Sequence, residues 1–191
     1  MKKLTILLLV LSLVVAGSGL CLADVTFSDS FNGGIGSVWS EVFGKAKVEK
    51  IDDREVLSVA PLGEGGVVYN FDQNASGKLE FTAKVESYKL KIKFRNPQGE
   101  QTVRVYIEDD GDLKVRPFKD GDFADKVEGS WAKYVIEWDQ ETLKLFVKVD
   151  GEKKLVCKEK TIRGGPLATV ELFSNNPAKA YIDEVTFYEY K

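Results

Sequence analysis

Apolar and polar residues alternate along most of this chain, and this alternation constrains the fold more than any other feature of the sequence. A period of two is the spacing of side chains on one face of a β-strand, whereas a helix repeats near 3.6 residues. KLEFTAKVE, KLKIKFR and TLKLFVKV all show the period of two, and no stretch after residue 23 shows a sustained helical stripe. In the first of these runs the inward set is Leu79, Phe81, Ala83 and Val85.

Turn dipeptides separate these runs and supply the positive φ angles of tight hairpins; they include Asp110-Gly111, Asp120-Gly121 and Asp150-Gly151. Turns at such spacing predict one all-β antiparallel jelly-roll β-sandwich of about 12–13 strands. The predicted strands lie near residues 25–31, 45–50, 54–60, 66–71, 78–86, 89–95, 102–108, 112–117, 131–139, 142–149, 153–159, 168–174 and 180–189.

Residues 1–23 have the layout of a secretory signal peptide, with two lysines, an apolar run and small residues ending at Ala23. The apolar run is shorter than the roughly 20 residues that cross a bilayer, which disfavours a retained anchor. Acylation at Cys21, as in a lipoprotein, is a further alternative, but Leu20 stands where a small residue is needed. We therefore predict a β-sandwich domain over residues 24–191, secreted or periplasmic, with no membrane span after cleavage.

The net charge and the residue composition limit the classes of function that this chain can have. Cleavage removes Lys2 and Lys3 from 27 basic residues and none of the 30 acidic ones, which leaves a net charge of −5. That charge predicts no nucleic-acid partner and disfavours anionic polymers, because phosphate binding needs a basic excess gathered on one face. The chain has no histidine, which excludes His-based triads and most zinc sites. Cys157 is the one cysteine left after cleavage, and we interpret it as a buried thiol.

Three passages resemble the concanavalin A-like lectin/glucanase sandwich, in the broad group that includes laminin-G-like modules. FSDSFNGGIGSVW at residues 27–39 is similar to the entry strand of that group. WAKYVIEWDQETLKLFVKVDGE at 131–152 is similar to its central hairpin, and AYIDEVTFYEY at 180–190 to the closing strand. The resemblance implies a scaffold whose members bind glycans, cleave polysaccharides or serve as adhesive spacers.

The glucanase branch of that group carries acids at alternate positions of one strand, so that one carboxyl protonates while another attacks. In YIDEVTFYE, Asp183 and Glu184 are adjacent and therefore face opposite sides of a strand. Glu137 and Asp139 share one face but lack a third acid. The sequence therefore predicts no catalytic residue.

A structural calcium ion is one interpretation of the acidic cluster formed by Glu108, Asp109, Asp110 and Asp112. The other interpretation is a hairpin tip with ordinary Asp-Gly turn residues, since the spacing of an EF-hand loop is absent. We predict the hairpin tip, and no metal or other cofactor.

The outward faces of the strands are of two kinds. One is a charged ladder that predicts a solvated convex surface: Lys78, Glu80, Lys84, Glu86, Lys89, Lys91, Lys93 and Arg95. The other mixes aromatic and charged groups, which suits a sugar because its C–H face stacks on a ring while its hydroxyls need hydrogen-bonding partners. The predicted ligand-binding residues are Arg104, Tyr106, Glu108, Phe146, Lys148, Glu171 and Phe173. Three large aromatic residues are predicted to pack in the core or at its rim: Trp39, Trp131 and Trp138.

Taken together, these features predict an exported, non-catalytic carbohydrate-binding β-sandwich with a polysaccharide or glycan as its partner. Two alternatives remain open on the same scaffold. One is an enzyme of the glucanase or sugar-hydrolase type, and the other is a structural or adhesive envelope domain without a small ligand. No oligomeric state is predicted.

Overall fold

The secondary structure is entirely β in the part of the chain that the structure describes. A computed structural model describes residues 24–60, 62–73, 76–110, 113–116, 129–139, 144–149, 152–155 and 166–190. The predicted signal peptide, Cys157 and Asp112 lie outside these ranges. None of the described residues belongs to a helix that could span a bilayer. The strands are β1 (Asp24–Asp29), β2 (Glu41–Gly44), β3 (Lys47–Ile51), β4 (Arg54–Val59), β5 (Gly65–Asn70), β6 (Ser76–Ser87), β7 (Lys89–Arg95), β8 (Gln101–Glu108), β9 (Leu113–Arg116), β10 (Ala132–Asp139), β11 (Lys144–Val149), β12 (Glu152–Leu155), β13 (Thr169–Ser174) and β14 (Lys179–Tyr190).

These strands form two antiparallel sheets, which confirms the predicted all-β sandwich. The six-stranded sheet has the order β2-β5-β13-β7-β8-β9. The eight-stranded sheet has the order β12-β11-β10-β6-β14-β4-β3, and β1 also pairs with β14. Strands that are neighbours in sequence often belong to different sheets, and the chain crosses between the sheets after β1, β2, β4, β5, β6, β9, β12 and β13.

Strand β14 lies at the centre of the eight-stranded sheet. It pairs with β6 along its whole length, while β4 pairs with its first part and β1 with its second. The register shifts between Ile182 and Val185, and the bulge holds Asp183 and Glu184. The two acids of the YIDE motif are therefore located in a local irregularity of the backbone.

The core lies between the sheets and is rich in aromatic rings. Trp138 is about 2% exposed, and its ring centroid is 5.3–5.4 Å from those of Phe71, Phe94 and Phe187. Gly77 permits this packing, because a Cβ there would approach Trp138 Cζ2 to 2.4 Å. The inward set that the sequence predicted for β6 is buried, as are Leu90, Ile92 and Phe94 of β7.

Strand β1 ends two residues earlier than predicted, because Asp29 begins a tight loop. Its carboxylate accepts hydrogen bonds from Phe31 N at 2.8 Å, Gly36 N at 3.0 Å and Trp39 Nε1 at 2.7 Å. Phe31 takes a positive φ of 58° there. This network fixes Trp39 against Phe27, whose ring centroid is 5.4 Å away. Burial of Trp39 and Trp138 confirms their predicted packing role.

Strand β2 was missed by the sequence analysis. It has four residues at the edge of the six-stranded sheet, and Val42 is about 47% exposed. An exposed edge strand lacks the alternation of burial that makes longer strands recognisable. Gly44 then ends the strand at a φ of 64°.

Candidate functional site

Alternate residues of the six-stranded sheet point away from the core and form what we call the outer face. The inward positions of β7, β8 and β13 are filled by core residues such as Ile92, Val105 and Leu172, so the residues between them must point outward. The outer face is composed of Lys89, Lys91, Lys93 and Arg95 from β7, Arg104, Tyr106 and Glu108 from β8, Lys114 and Arg116 from β9, and Glu171 and Phe173 from β13.

The pairing register places these side chains in rows across the sheet. In one row Lys91 lies opposite both Phe173 and Tyr106, and Tyr106 lies opposite Lys114. In the next row Lys93 lies opposite Glu171 and Arg104, and Arg104 lies opposite Arg116. Five of the seven predicted ligand-binding residues therefore share one face of one sheet: Arg104, Tyr106, Glu108, Glu171 and Phe173.

The remaining two predicted residues, Phe146 and Lys148, lie on the other sheet. Their strand β11 pairs with β10, placing Phe146 opposite Glu137 and Lys148 opposite Val135. A strand of the eight-stranded sheet does not share a surface with β8 and β13. The seven predicted residues therefore do not form one groove on a single sheet.

The predicted charged ladder also divides between the sheets. Strand β6 belongs to the eight-stranded sheet, whereas β7 belongs to the six-stranded sheet. The cations of β7 therefore lie beside Tyr106 of β8. The prediction of a solvated surface is wrong for Lys91 and Lys93, which are about 5% and 9% exposed. Phe173 of β13 covers both amines, because Lys93 Nζ is 4.2 Å and Lys91 Nζ 5.7 Å from its ring centroid.

Glu171 neutralises two of the cations. Its carboxylate accepts a hydrogen bond from Lys93 Nζ at 2.5 Å and another from Arg95 Nε. Glu171 is about 8% exposed, and a buried carboxylate is tolerated only when paired in this way. Glu171 and Lys93 therefore neutralise each other and are not available to pair with a charged group of a ligand.

A shallow depression of about 380 Å³ lies on the outer face beyond this ion pair. The Tyr106 hydroxyl there accepts a hydrogen bond from Arg104 Nη1 at 2.6 Å. Lys89 Nζ lies 5.4 Å from the centroid of the Tyr106 ring and 5.0 Å from that of Tyr88. The residues that line the depression are Tyr88, Lys89, Lys91, Arg104, Tyr106, Glu108, Lys114 and Arg116.

Tyr88 is positioned at the depression by the crossing between the sheets. It takes a positive φ of 67° between β6 and β7. Its N–H donates to Asp109 Oδ2 at 3.0 Å, and its carbonyl accepts from Asp109 N at 3.1 Å. The acidic cluster thus serves partly to hold this turn.

The carboxylate of Glu108 is surrounded by lysines. It accepts a hydrogen bond from Lys89 Nζ at 3.0 Å and another from Lys114 Nζ. Burial alone would raise the pKa of Glu108, but hydrogen bonds from Lys114 and Lys89 hold it below its ordinary value. Within the described ranges, no three Asp, Glu or Cys residues are placed to hold a metal ion.

Lys91 has the most perturbed charge on the outer face. Burial, together with the nearby charges of Arg104, Lys89 and Lys93, lowers the pKa of Lys91 to about 8. Its amine donates to the side-chain oxygen of Asn175, which is uncharged. The sequence analysis missed Lys91 as a site residue.

One signal in the sequence could have shown that the cations of β7 lie beside the predicted site residues of β8. Residues 96–99 form a tight turn, with Gly99 N donating to Asn96 O at 2.9 Å, which makes β7 and β8 direct neighbours. A short reversal between two alternating runs predicts such a hairpin, and paired strands share their outward faces. The NPQG sequence therefore placed Lys91 beside Tyr106, although nothing in the sequence placed β13 beside β7.

Comparisons with known proteins give evidence about the fold of this chain. No family model matches the sequence, and no curated protein matches it. Among solved structures, lectin II from Ulex europaeus matches with a TM-score of 0.64 at 13% identity, over 88% of this chain and 100% of the lectin. Domain 4 of a GH43 extracellular arabinanase from Geobacillus stearothermophilus, solved with arabinotriose, matches with a TM-score of 0.58 at 16% identity, over 88% of this chain and 93% of that domain.

A sialidase also matches, with a TM-score of 0.60 at 15% identity, over 88% of this chain. This chain spans only 18% of the sialidase, so the match concerns one part of that protein. At such low identities the likeness concerns the path of the backbone and leaves the ligand open. This chain has two facing antiparallel sheets, with its closing strand β14 paired beside β1, and its likeness to these structures shows the concanavalin A-like jelly-roll fold that its sequence resembles.

Proposed function

We propose that this chain is an exported, non-catalytic carbohydrate-binding module whose site is the depression on the outer face. The observation that carries the proposal is the Tyr106 ring, set among charged hydrogen-bond donors in an open depression. A sugar presents an apolar C–H face that stacks on such a ring, and hydroxyls that pair with the groups around it.

The surroundings of Tyr106 favour binding because they hold the ring in place before a ligand arrives. Its hydroxyl is fixed by Arg104, and Tyr106 lies between Lys91 and Lys114 in one row across the sheet. A side chain that is already ordered loses less conformational entropy on binding, so more of the contact energy appears as affinity.

The hydrogen bonding of the carboxylates on the outer face, and the pKa of Glu108, support a non-catalytic role. A glycoside hydrolase needs one carboxyl whose pKa is raised enough to donate a proton. On the outer face, Glu108 and Glu171 each accept hydrogen bonds from two cations, and the pKa of Glu108 is lowered. Both carboxylates are therefore suited to holding lysine and arginine side chains in place.

Export belongs to the same proposal. The predicted signal peptide would deliver the domain to the cell exterior or periplasm, where polysaccharides are accessible. The arabinanase whose domain has this fold is extracellular, in agreement with that location.

The test is isothermal titration of the purified protein against neutral and acidic oligosaccharides, with a Tyr106→Ala variant. Losing the stacking surface should weaken binding by about tenfold or more. Tyr190→Ala removes a ring of the same type from the eight-stranded sheet and should leave the affinity unchanged. Equal affinity of Tyr106→Ala and the parent protein, or no binding of any saccharide, would contradict the proposal.

Two further readouts address the alternatives. New reducing ends on incubation with β-glucans would indicate the glucanase type. Retention by the native envelope without any affinity for saccharides would indicate the structural or adhesive type.

A further inference from the structure

The depression concentrates positive charge on a protein that is acidic overall. Its lining contains five cations, namely Lys89, Lys91, Arg104, Lys114 and Arg116, and one carboxylate, Glu108. The whole chain has a net charge of −3. The net charge of the sequence disfavoured anionic polymers because it indicated no basic excess on one face, but strand pairing gathers the cations of β7, β8 and β9 on one surface.

The one carboxylate of the depression is fully engaged. Glu108 already binds Lys89 and Lys114, each through a hydrogen bond from the amine. These three side chains neutralise one another in part, which leaves Lys91, Arg104 and Arg116 to set the field at the centre of the depression.

Lys91 and Arg104 make hydrogen bonds to neutral oxygens. Lys91 donates to Asn175, while Arg104 donates to the Tyr106 hydroxyl and to the side-chain oxygen of Gln101. Within the described ranges, neither cation forms a salt bridge, and Arg104 Nε has no acceptor. Buried or half-buried charges are normally paired, so these two cations lack the directly bonded counter-charge expected of them; the charge of Glu64 raises the pKa of Lys91, but burial and the neighbouring cations outweigh it.

An anion placed between these cations would supply that counter-charge. Charge-assisted hydrogen bonds from lysine and arginine to carboxylate or sulfate oxygens are about twice as strong as neutral ones. The Tyr106 and Tyr88 rings beside the cations would at the same time contact the apolar face of the sugar that carries the anion.

We propose that the saccharide bound in this depression is acidic, and that Lys91 and Arg104 receive its carboxylate or sulfate groups. This inference rests on the proposed function and narrows it to one class of ligand. It makes the site a receptor for uronate-containing or sulfated glycans in preference to neutral ones.

A nucleic acid fits the same surface less well. Phosphodiester chains need a basic stripe that follows the backbone over many nucleotides. Here the excess of cations is confined to one depression, and Glu171 neutralises the neighbouring Lys93 and Arg95. The negative charge of the rest of the chain would repel a long polyphosphate.

The experiment compares ligands that differ only in their charge. Oligogalacturonate and its carboxyl-reduced counterpart form one pair, and dextran sulfate and dextran form the other. Single-stranded DNA of similar charge is the fifth ligand. Each is titrated calorimetrically into the purified full chain at two salt concentrations. We expect one charged saccharide to bind at least about tenfold more tightly than its neutral counterpart, the effect of a single charge-assisted hydrogen bond.

Three variants locate the effect. Lys91→Gln and Arg104→Gln should each lower the affinity for the acidic saccharide by about tenfold more than they lower the affinity for the neutral counterpart. Lys50→Gln removes one positive charge from the eight-stranded sheet and is the matched control. Because Lys91 is buried, circular dichroism must show that its variant folds; Arg104→Gln tests the proposal independently.

The outcomes separate this inference from the function on which it rests. Preference for oligogalacturonate identifies carboxylate as the recognised group, and preference for dextran sulfate identifies sulfate. Equal binding of charged and neutral saccharides would overturn the inference while leaving carbohydrate binding intact. Binding of DNA alone, or of all polyanions without any effect of the Lys91 and Arg104 variants, would overturn it as well. Failure of every saccharide would remove both proposals.

Discussion

Lys91 lies opposite Tyr106 where β7 pairs with β8, so a buried lysine and an aromatic residue occupy neighbouring positions on the outer face. Phe173 lies opposite the same lysine on its other side. Since burial and three neighbouring cations lower the pKa of Lys91 to about 8, its charge changes within the range of pH that proteins tolerate.

The affinity for an acidic saccharide should fall as the pH rises through 8. An anion beside Lys91 stabilises the ammonium form, so binding raises the pKa of Lys91 and takes up protons. At pH 9 about one-tenth of Lys91 is charged before binding, and the affinity should be up to about tenfold below its value at pH 7.

Calorimetry in buffers of different ionisation enthalpy measures this proton uptake directly. Lys91→Arg keeps its charge across the range and should flatten the pH dependence. An equal loss of affinity in that variant, or for a neutral saccharide, would show that another group is responsible.

The Lys91→Met substitution should stabilise the protein at neutral pH. The pKa of Lys91 falls from 10.5 in the unfolded chain to about 8 when folded, so the folded protein binds fewer protons between these values. Its stability therefore rises with pH across that interval, and the cost of the buried charge is greatest below pH 8. At pH 7 this cost is at most about 3 kcal/mol, and the gain in the variant is smaller because the hydrogen bond to Asn175 is lost.

Urea denaturation of both proteins at pH 7 and pH 10.5 checks this prediction. The difference in free energy of unfolding should shrink at the higher pH, where the amine is neutral in the folded protein and about half neutral in the unfolded chain. Lys50→Met alters an exposed lysine on β3 and should not reproduce the pattern. A variant that is less stable than the parent at pH 7 would contradict the argument.

The Glu171→Gln substitution should destabilise the six-stranded sheet. The carboxylate of Glu171 is buried between Lys93 and Arg95, and its loss leaves a buried ammonium without a counter-charge. Removing one partner of such a pair costs about 3 kcal/mol. Thermal unfolding with Glu41→Gln, an exposed position on β2, is the comparison, and a similar shift in both variants would count against the role of the ion pair.

Local periodicity predicted the strands of this fold well, because each strand buries one of its faces. Leu79 and Phe81 of β6 alternate with charged residues, and both are buried as the pattern required. Sheet membership depends on contacts between distant parts of the chain. The sequence therefore predicted the hairpin that contains Phe146 without indicating that it lies in a different sheet from Tyr106.

The incorrect prediction that Lys91 and Lys93 are exposed to solvent has a related cause. Alternation indicates on which side of a strand a residue lies, but not what lies above it. Phe173 and Asn175, about 80 residues further along the chain, cover these amines. A charged residue on an outward face is exposed only where no distant side chain covers it, and the pattern of one strand contains no information about that cover.

The pairing of β14 with β1, β4 and β6 has a consequence during synthesis. The central strand of the eight-stranded sheet is made of the last twelve residues of the described chain, Lys179–Tyr190. Until the ribosome has released them, β6 and β4 have no strand between them, and their edges remain open to other nascent chains. The eight-stranded sheet of this design therefore cannot be completed until Lys179–Tyr190 have been synthesised, long after β4 and β6.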